Sequence, residues 1–171
     1  MSSEQLPPTA ARFSFGPKLV LAAGALSAAV GVAVALADSM SAYVAIAVGS
    51  ALGGVGRYWC SGITARLVGE TFPWGTLLVN VVGSFVIGFF STLTGPDGRI
   101  FASATARQFV MVGICGGYTT FSSFSLQTLN LMNDGEWLYA AANTFGSILL
   151  CFFAAWAGHA IAANIGGLKV A

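Results

Sequence analysis

Long apolar runs follow one another along this chain, separated by short links that carry proline, glycine or charge. Residues 1–18 are polar and contain Pro7, Pro8 and Pro17, a composition that predicts disorder. Leu19 to Ala37 is rich in Ala, Val, Gly and Leu and carries no charge, so it is just long enough to span a bilayer. The same stretch, with a basic start and Ala35-Leu36-Ala37 at its end, also fits a signal peptide. Translation starting at Met40 is a third reading. The three stay open, and residues 1–39 are read as an extension outside a four-span core at 40–171. Four spans follow: about Ser41 to Ile63, Trp74 to Leu93, Arg107 to Met132, and Trp137 to about Ala163. Glu70 and Pro73 lie in the first link, Gly95-Pro96-Asp97-Gly98 in the second, and Asn133-Asp134-Gly135 in the third.

Composition supports the same picture. Hydrophobic residues make up 56% and charged residues 8% of the 171 positions, where roughly a quarter charged is usual for a soluble domain. With a mean hydropathy of +0.81, the chain is predicted to be an all-α integral membrane protein. The runs are too long for barrel strands. A formal charge of +1 argues against nucleic acid as a partner. Cys60, Cys115 and Cys151 show no CxxC or His spacing and read as small packing residues. Arg99, Arg107 and Lys169 fall on one side of the four spans, Arg57 and Arg66 on the other, and Arg12 and Lys18 join the latter if the first segment also spans. So even a count selects orientation weakly. Either both orientations form and pair as an antiparallel dimer, or other cues choose one. Four short spans rarely enclose a pore alone, so a dimer is expected in both cases.

The third run contains the unusual stretch. Gly113 to Phe124 reads Gly-Ile-Cys-Gly-Gly-Tyr-Thr-Thr-Phe-Ser-Ser-Phe. Paired glycines followed by β-branched threonines make a poor helix interior. At membrane depth a break is tolerated where protein or a water-filled cavity covers it. Unwound carbonyls there can ligate a hard cation, and freed N–H groups at a half-helix start can face an anion. The competing reading is a Gly/Ser/Thr seam for helix packing.

What is absent narrows the chemistry. Glu4, Asp38, Glu70, Asp97, Asp134 and Glu136 all lie in tails, links or span edges, so no core span has a carboxylate at mid-depth. His159 is the single histidine, and no nucleophile–base set or phosphate loop is present, which argues against an enzyme. A neutral polar set remains. Asn80 lies mid-span and reads as interhelical glue or as pore lining. Tyr139, Asn143 and Ser147, spaced i, i+4, i+8, form one stripe of donors on the fourth span. Phe121 and Phe124 share a face; such a pair ordinarily packs in a core, yet ring edges carry the positive end of the aromatic quadrupole and can face a small anion. Arg57 either snorkels to headgroups or draws anions into a vestibule.

Gly-Gly-Tyr-Thr-Thr-Phe-Ser-Ser-Phe at 116–124, Asn80-xx-Gly83-Ser84-Phe85 and Gly53-Gly54-xx-Arg57-Tyr58 together resemble the Fluc/CrcB family of fluoride channels, over about Met40 to Ala163. Residues 1–39 have no counterpart in the usual short family pattern. The resemblance implies an antiparallel, dual-topology homodimer of four-helix subunits with the third helix broken, two fluoride pathways, and a central sodium ion. It assigns the main-chain carbonyls of Gly116 and Thr119 to sodium. Asn80, Thr120, Phe121, Phe124, Tyr139, Asn143 and Ser147 are assigned to the fluoride pathway, and Arg57 to a vestibule. It implies a bacterial inner-membrane, multi-pass protein that releases cytoplasmic fluoride passively, with membrane lipid, fluoride and sodium as partners. The residues alone reach a neutral polar pore for an anion; the identity of the ion comes from the resemblance. Two other readings are carried forward: a small dual-topology multidrug or cation exporter, and a non-transporting packing subunit.

Overall fold

A computed structural model describes residues 17–166, and among these every regular element is a helix, without strands. The elements are α1 (Pro17–Val68), α2 (Trp74–Leu93), α3 (Ala104–Arg107), a π-helical stretch (Gln108–Cys115), α4 (Gly116–Tyr118), α5 (Phe121–Asn133) and α6 (Trp137–Gly166). Four stretches are long and apolar enough to cross a membrane: Ser39–Val68, Trp74–Leu93, Ala104–Asn133 and Trp137–Gly166. The sequence-predicted polar tail before Pro17 and the tail bearing Lys169 lie outside the described residues. The chain divides into two compact units, Met1–Ser39 and Met40–Ala171, and α1 supplies residues to both. Asp38 and Ser39, a boundary in the sequence reading, are helical; neither is a proline or glycine, and one acidic residue does not end a helix. The first core span also runs five residues past the predicted Ile63, to Val68, where Gly69 takes a left-handed φ of 93°.

Links in the second unit are closed by their own backbone. In the turn after α2, Gly98 N–H donates to the Gly95 carbonyl at 2.9 Å and Ile100 N–H to the Leu93 carbonyl at 3.0 Å. Arg107 donates to the Thr94 carbonyl and to Thr94 Oγ1, placing a cation at the C-terminal end of α2 where the helix dipole favours it. Ser103 caps the next element by accepting from Ala106 N–H at 3.2 Å.

Packing within this unit depends on small residues. Gly49 and Gly53 of α1 face Gly113 and Gly117 of the third span, one small-xxx-small face on another. A Cβ at Gly49 would meet the Phe109 carbonyl oxygen at 2.6 Å, and one at Gly117 the Ser50 carbonyl oxygen at 2.6 Å. On the other side α2 and α6 meet through Gly88 against the Ala155 carbonyl and Gly158 against the Phe85 carbonyl. The interior is therefore small or polar, with Val79, Ala140, Ala162, Ala163 and Asn143 nearly inaccessible, while Leu138, Phe145, Leu149 and Phe152 of α6 point outward. A soluble protein would hide those rings and leucines; in lipid they are already in a matching solvent, and close backbone approach supplies the cohesion instead.

Candidate functional site

The helical backbone stops for two residues between α4 and α5. Thr119 (φ −86°, ψ 160°) and Thr120 (φ −154°, ψ 114°) are extended. Ahead of them the π-helical turn widens the chain, so that Gly116 N–H reaches the Met111 carbonyl, five residues back. Thr119 keeps helix-type bonds to the residue four positions back, whereas Thr120 finds partners that a helix interior would not offer. Thr119 N–H and Thr119 Oγ1 each donate to the Cys115 carbonyl at 3.0 Å. Thr120 is the N-cap of α5, its Oγ1 accepting from Ser123 N–H at 3.1 Å. Asn80 of α2 then closes the exposed backbone: Thr120 N–H donates to Asn80 Oδ1 at 2.7 Å and Asn80 Nδ2 donates to the Thr120 carbonyl at 3.1 Å. Gly83, one turn along α2, leaves the space that Thr119 Cγ2 occupies.

Around this step lies a cavity of about 370 Å³ bordered by Asn80, Thr119, Thr120, Phe121, Phe124 and Ser147 among others. No charged side chain lines it among the described residues. The Phe121 and Phe124 rings sit with centroids 5.2 Å apart, tilted by 48°. They differ sharply in burial, Phe121 being 78% exposed and Phe124 9%. Asn143, 1% exposed, lies behind Ser147 and outside the lining. Asn143 Nδ2 donates to Thr128 Oγ1 at 2.8 Å, Thr128 Oγ1 donates to the Phe124 carbonyl at 2.8 Å, and Ser147 Oγ donates to Asn143 Oδ1 across a long 3.4 Å. A hydrogen-bonded line thus runs from the Phe124 turn to the cavity wall. Thr128 was missing from the sequence reading, although its i+4 spacing from Phe124 put it on the same helix face.

The structure does not bring Tyr139 to this cavity. Tyr139 is 42% exposed, its ring 6.2 Å from Phe72 in an edge-on arrangement, beside a separate concavity that includes Trp74. At about 100° per residue, eight positions along a helix leave Tyr139 and Ser147 about 80° apart, enough to point them into different spaces. Arg57 is half-buried in yet another cavity, of about 700 Å³, shared with Thr120, Ser123 and Gln127. Thr120 therefore borders both spaces. Gln127 Oε1, buried and without a hydrogen-bond partner, faces neither role in the sequence reading. His159 hydrogen-bonds Thr92 through Nδ1 at 2.8 Å, at the far end of α6.

Among the described residues no cluster of three or more His, Cys, Asp or Glu side chains could hold a metal. The main chain at the two-residue step is different. In an unbroken helix the Gly116 carbonyl would accept from Thr120 N–H and the Thr119 carbonyl from Ser123 N–H. Here Asn80 Oδ1 takes the first donor and Thr120 Oγ1 the second. Both carbonyls lose their helical donors, and neutral oxygens of that kind suit a hard, weakly held monovalent cation.

Comparison with known proteins gives consistent matches. A family model described as CrcB-like protein, Camphor Resistance (CrcB), matches residues 44–159. A protein named fluoride-specific ion channel FluC from Opitutus terrae is 61% identical over 130 residues, covering 76% of this chain and 98% of its own length. Its namesake from Rhodospirillum rubrum is 58% identical over 117 residues, with 68% and 91% covered, and that of Methylocella silvestris 54% identical over 127, with 74% and 97% covered.

Proposed function

This chain belongs to the CrcB family, and from that membership we propose that it is a fluoride-selective channel that releases cytoplasmic fluoride passively, down its electrochemical gradient, across a bacterial inner membrane. The observation that carries the reading is the uncharged cavity at the Thr119–Thr120 step, where an amide, hydroxyls and two phenyl rings meet. Fluoride is small and strongly hydrated, so a path for it must replace many water contacts. Ring edges of Phe121 and Phe124, the hydroxyls of Thr120 and Ser147, and the second N–H of Asn80 Nδ2 supply neutral, partial positive charge for that purpose. A cationic side chain on the path itself would hold the ion too firmly for rapid exit. Asn143 acts behind the wall, orienting Ser147. Arg57 draws anions into the wider vestibule that Thr120 shares, and Tyr139 stands nearer a mouth of the path than its centre.

The same reading makes the third span broken at mid-membrane and the protein an antiparallel, dual-topology homodimer with two pathways. The nearly even distribution of basic residues on the two sides supports insertion in both orientations. Residues 1–39 are then an extension, with an apolar segment at 19–37, and 40–171 the channel domain. At the centre, the Gly116 and Thr119 carbonyls of both copies would hold sodium. When bound, the ion would supply a fixed charge that keeps these non-helical carbonyls in place. The exporter reading lacks support: among the described residues no carboxylate lines the cavity to carry a proton or pair with a cationic drug.

The test is fluoride efflux from liposomes that hold the purified protein, read with a fluoride electrode and with valinomycin clamping the potential. Fast fluoride release without chloride release is the expected result. No release from a well-folded protein would overturn the reading and return the exporter or packing subunit to consideration.

A further inference from the structure

Two i, i+4 pairs meet where α5 packs on α6. Phe124 and Thr128 form one, Asn143 and Ser147 the other, and the Asn143–Thr128 bond of 2.8 Å joins them. All four residues are nearly buried, between 1% and 9% exposed. Only Phe124 and Ser147 border the cavity of the proposed path. Counting protons fixes the direction of every bond. Thr128 has one hydroxyl proton and the Phe124 carbonyl can only accept, so that proton lies between them, across 2.8 Å. Thr128 Oγ1 must then accept from Asn143, and only Nδ2 can donate. The amide is thereby held with its other end, Oδ1, toward Ser147. Ser147 Oγ–H donates to it across 3.4 Å, against about 2.7–2.8 Å for an ordinary O–H···O bond. The Ser147 proton is weakly held, and it is held at the cavity wall.

We propose that Thr128 is a positioning residue for fluoride passage. By fixing the acceptor end of Asn143 toward Ser147, it gives the Ser147 proton a weak resting bond. The proton turns from that bond to an arriving ion and returns to it as the ion leaves. This role rests on the channel reading above. A path must bind its ion well enough to replace water and weakly enough to let it go. An Asn143 amide turned the other way would donate Nδ2–H to Ser147 Oγ and leave the Ser147 proton no acceptor but the ion. Fluoride would then be held longer. Thr128 lies outside the cavity lining, so it acts only through Asn143.

The test measures initial fluoride efflux from liposomes over a range of internal fluoride, with valinomycin clamping the potential, for the parent, Thr128→Val and Thr128→Ser. Thr128→Val keeps the shape and loses the hydroxyl, so the Asn143 amide is released. Its half-saturating fluoride and its maximal rate are both expected to fall, each by about threefold or more, the effect of redirecting one hydrogen bond. Thr128→Ser keeps the hydroxyl and is expected to return both values toward those of the parent. A merely structural Thr128 would lower the maximal rate through fewer active proteins and leave half-saturation where it was, and that result overturns the proposal. In a Ser147→Ala background, Thr128→Val is expected to shift half-saturation no further; a persisting shift overturns action through Ser147. Should Thr128→Val fail to elute as a single species, Asn143→Ala removes the acceptor that Thr128 positions and is expected to lower both values. Unchanged half-saturation there overturns the proposal equally. A parent that releases no fluoride overturns the channel reading and this role with it, whereas a saturating parent with an indifferent Thr128→Val overturns the role of Thr128 alone.

Discussion

Asn80 and Thr120, forty positions apart, exchange two hydrogen bonds, 2.7 Å from the Thr120 N–H to Asn80 Oδ1 and 3.1 Å from Asn80 Nδ2 to the Thr120 carbonyl. The side-chain amide thereby completes the backbone at the point where helical bonding stops. It stands in for the hydrogen bonds that a continuous helix would have provided. Asn80→Ala strips both partners from the buried Thr120, a loss of about 1–3 kcal/mol for groups left unpaired. A lower unfolding temperature in detergent and a fall in fluoride efflux are expected together. Asn80→Asp is expected to be at least as harmful, because a carboxylate can accept from Thr120 N–H but faces the Thr120 carbonyl with a second acceptor.

The two rings of the site separate function from folding. Phe121 is mostly exposed and Phe124 mostly buried, although their centroids are 5.2 Å apart. Phe124→Ala empties packed space and is expected to cost about 3 kcal/mol of stability. Phe121→Ala removes little packing, so its unfolding temperature should stay close to that of the parent. Its fluoride efflux is expected to fall by about tenfold or more, a barrier increase of at least about 1.4 kcal/mol. Unchanged efflux in a well-folded Phe121→Ala protein would remove that ring from the pathway.

Neighbouring glycines offer a sharper packing test. A Cβ at Gly53 would run into the Ile114 carbonyl oxygen and stand 2.8 Å from Tyr118 N, whereas one at Gly54 meets nothing within 4 Å. The atoms in the way at Gly53 belong to backbone and cannot rotate aside. Gly53→Ala is therefore expected to cost about 1–3 kcal/mol or to abolish a single folded species. Gly54→Ala should elute and melt like the parent. Equal behaviour of the two in size-exclusion chromatography and thermal unfolding would contradict the close crossing of α1 on the third span.

Asn143 and Thr128 form the polar pair behind the cavity wall, joined at 2.8 Å. Thr128→Val leaves the buried Asn143 Nδ2 without its acceptor, while Asn143→Ala leaves Thr128 still donating to the Phe124 carbonyl. The first is expected to destabilise more than the second, despite being the smaller change in shape. A double-mutant cycle on unfolding free energy should return a coupling of about 0.5–2 kcal/mol. Coupling near zero would mean that the bond is not formed in the bilayer.

Much of the site was legible as residue types and much less as relationships. The run of glycines and threonines at 113–120 pointed to backbone that a helix would tolerate poorly, since β-branching and missing side chains are local properties. The Phe121–Phe124 spacing also transferred directly to a shared face. Asn80 had two open readings, interhelical glue or pore lining; it bonds Thr120 across helices, and it borders the cavity proposed as the path. The stripe Tyr139, Asn143, Ser147 was legible as a line on paper, but only Ser147 reaches the cavity. A four-residue step overshoots one helical turn, and the excess accumulates with every step. Gln127 and Thr128 carried no local signal that set them apart from ordinary polar residues on a helix.

By itself the sequence determined the helical class, the four apolar stretches and most of their limits. Trp74 to Leu93 coincides with α2, and Asn133 ends the third span as expected. Those features follow from side-chain hydrophobicity and from turn residues, which act over a few neighbours and need no knowledge of the rest of the chain. Tertiary structure alone decided which polar groups are already bonded and which remain free to meet an ion. Thr120 N–H has Asn80 as its partner because α2 passes beside the two-residue step, and α2 passes there because Gly83 leaves room for Thr119. Hydrogen-bond satisfaction in a membrane protein is settled between helices, by contacts across tens of residues, and local pattern does not encode it.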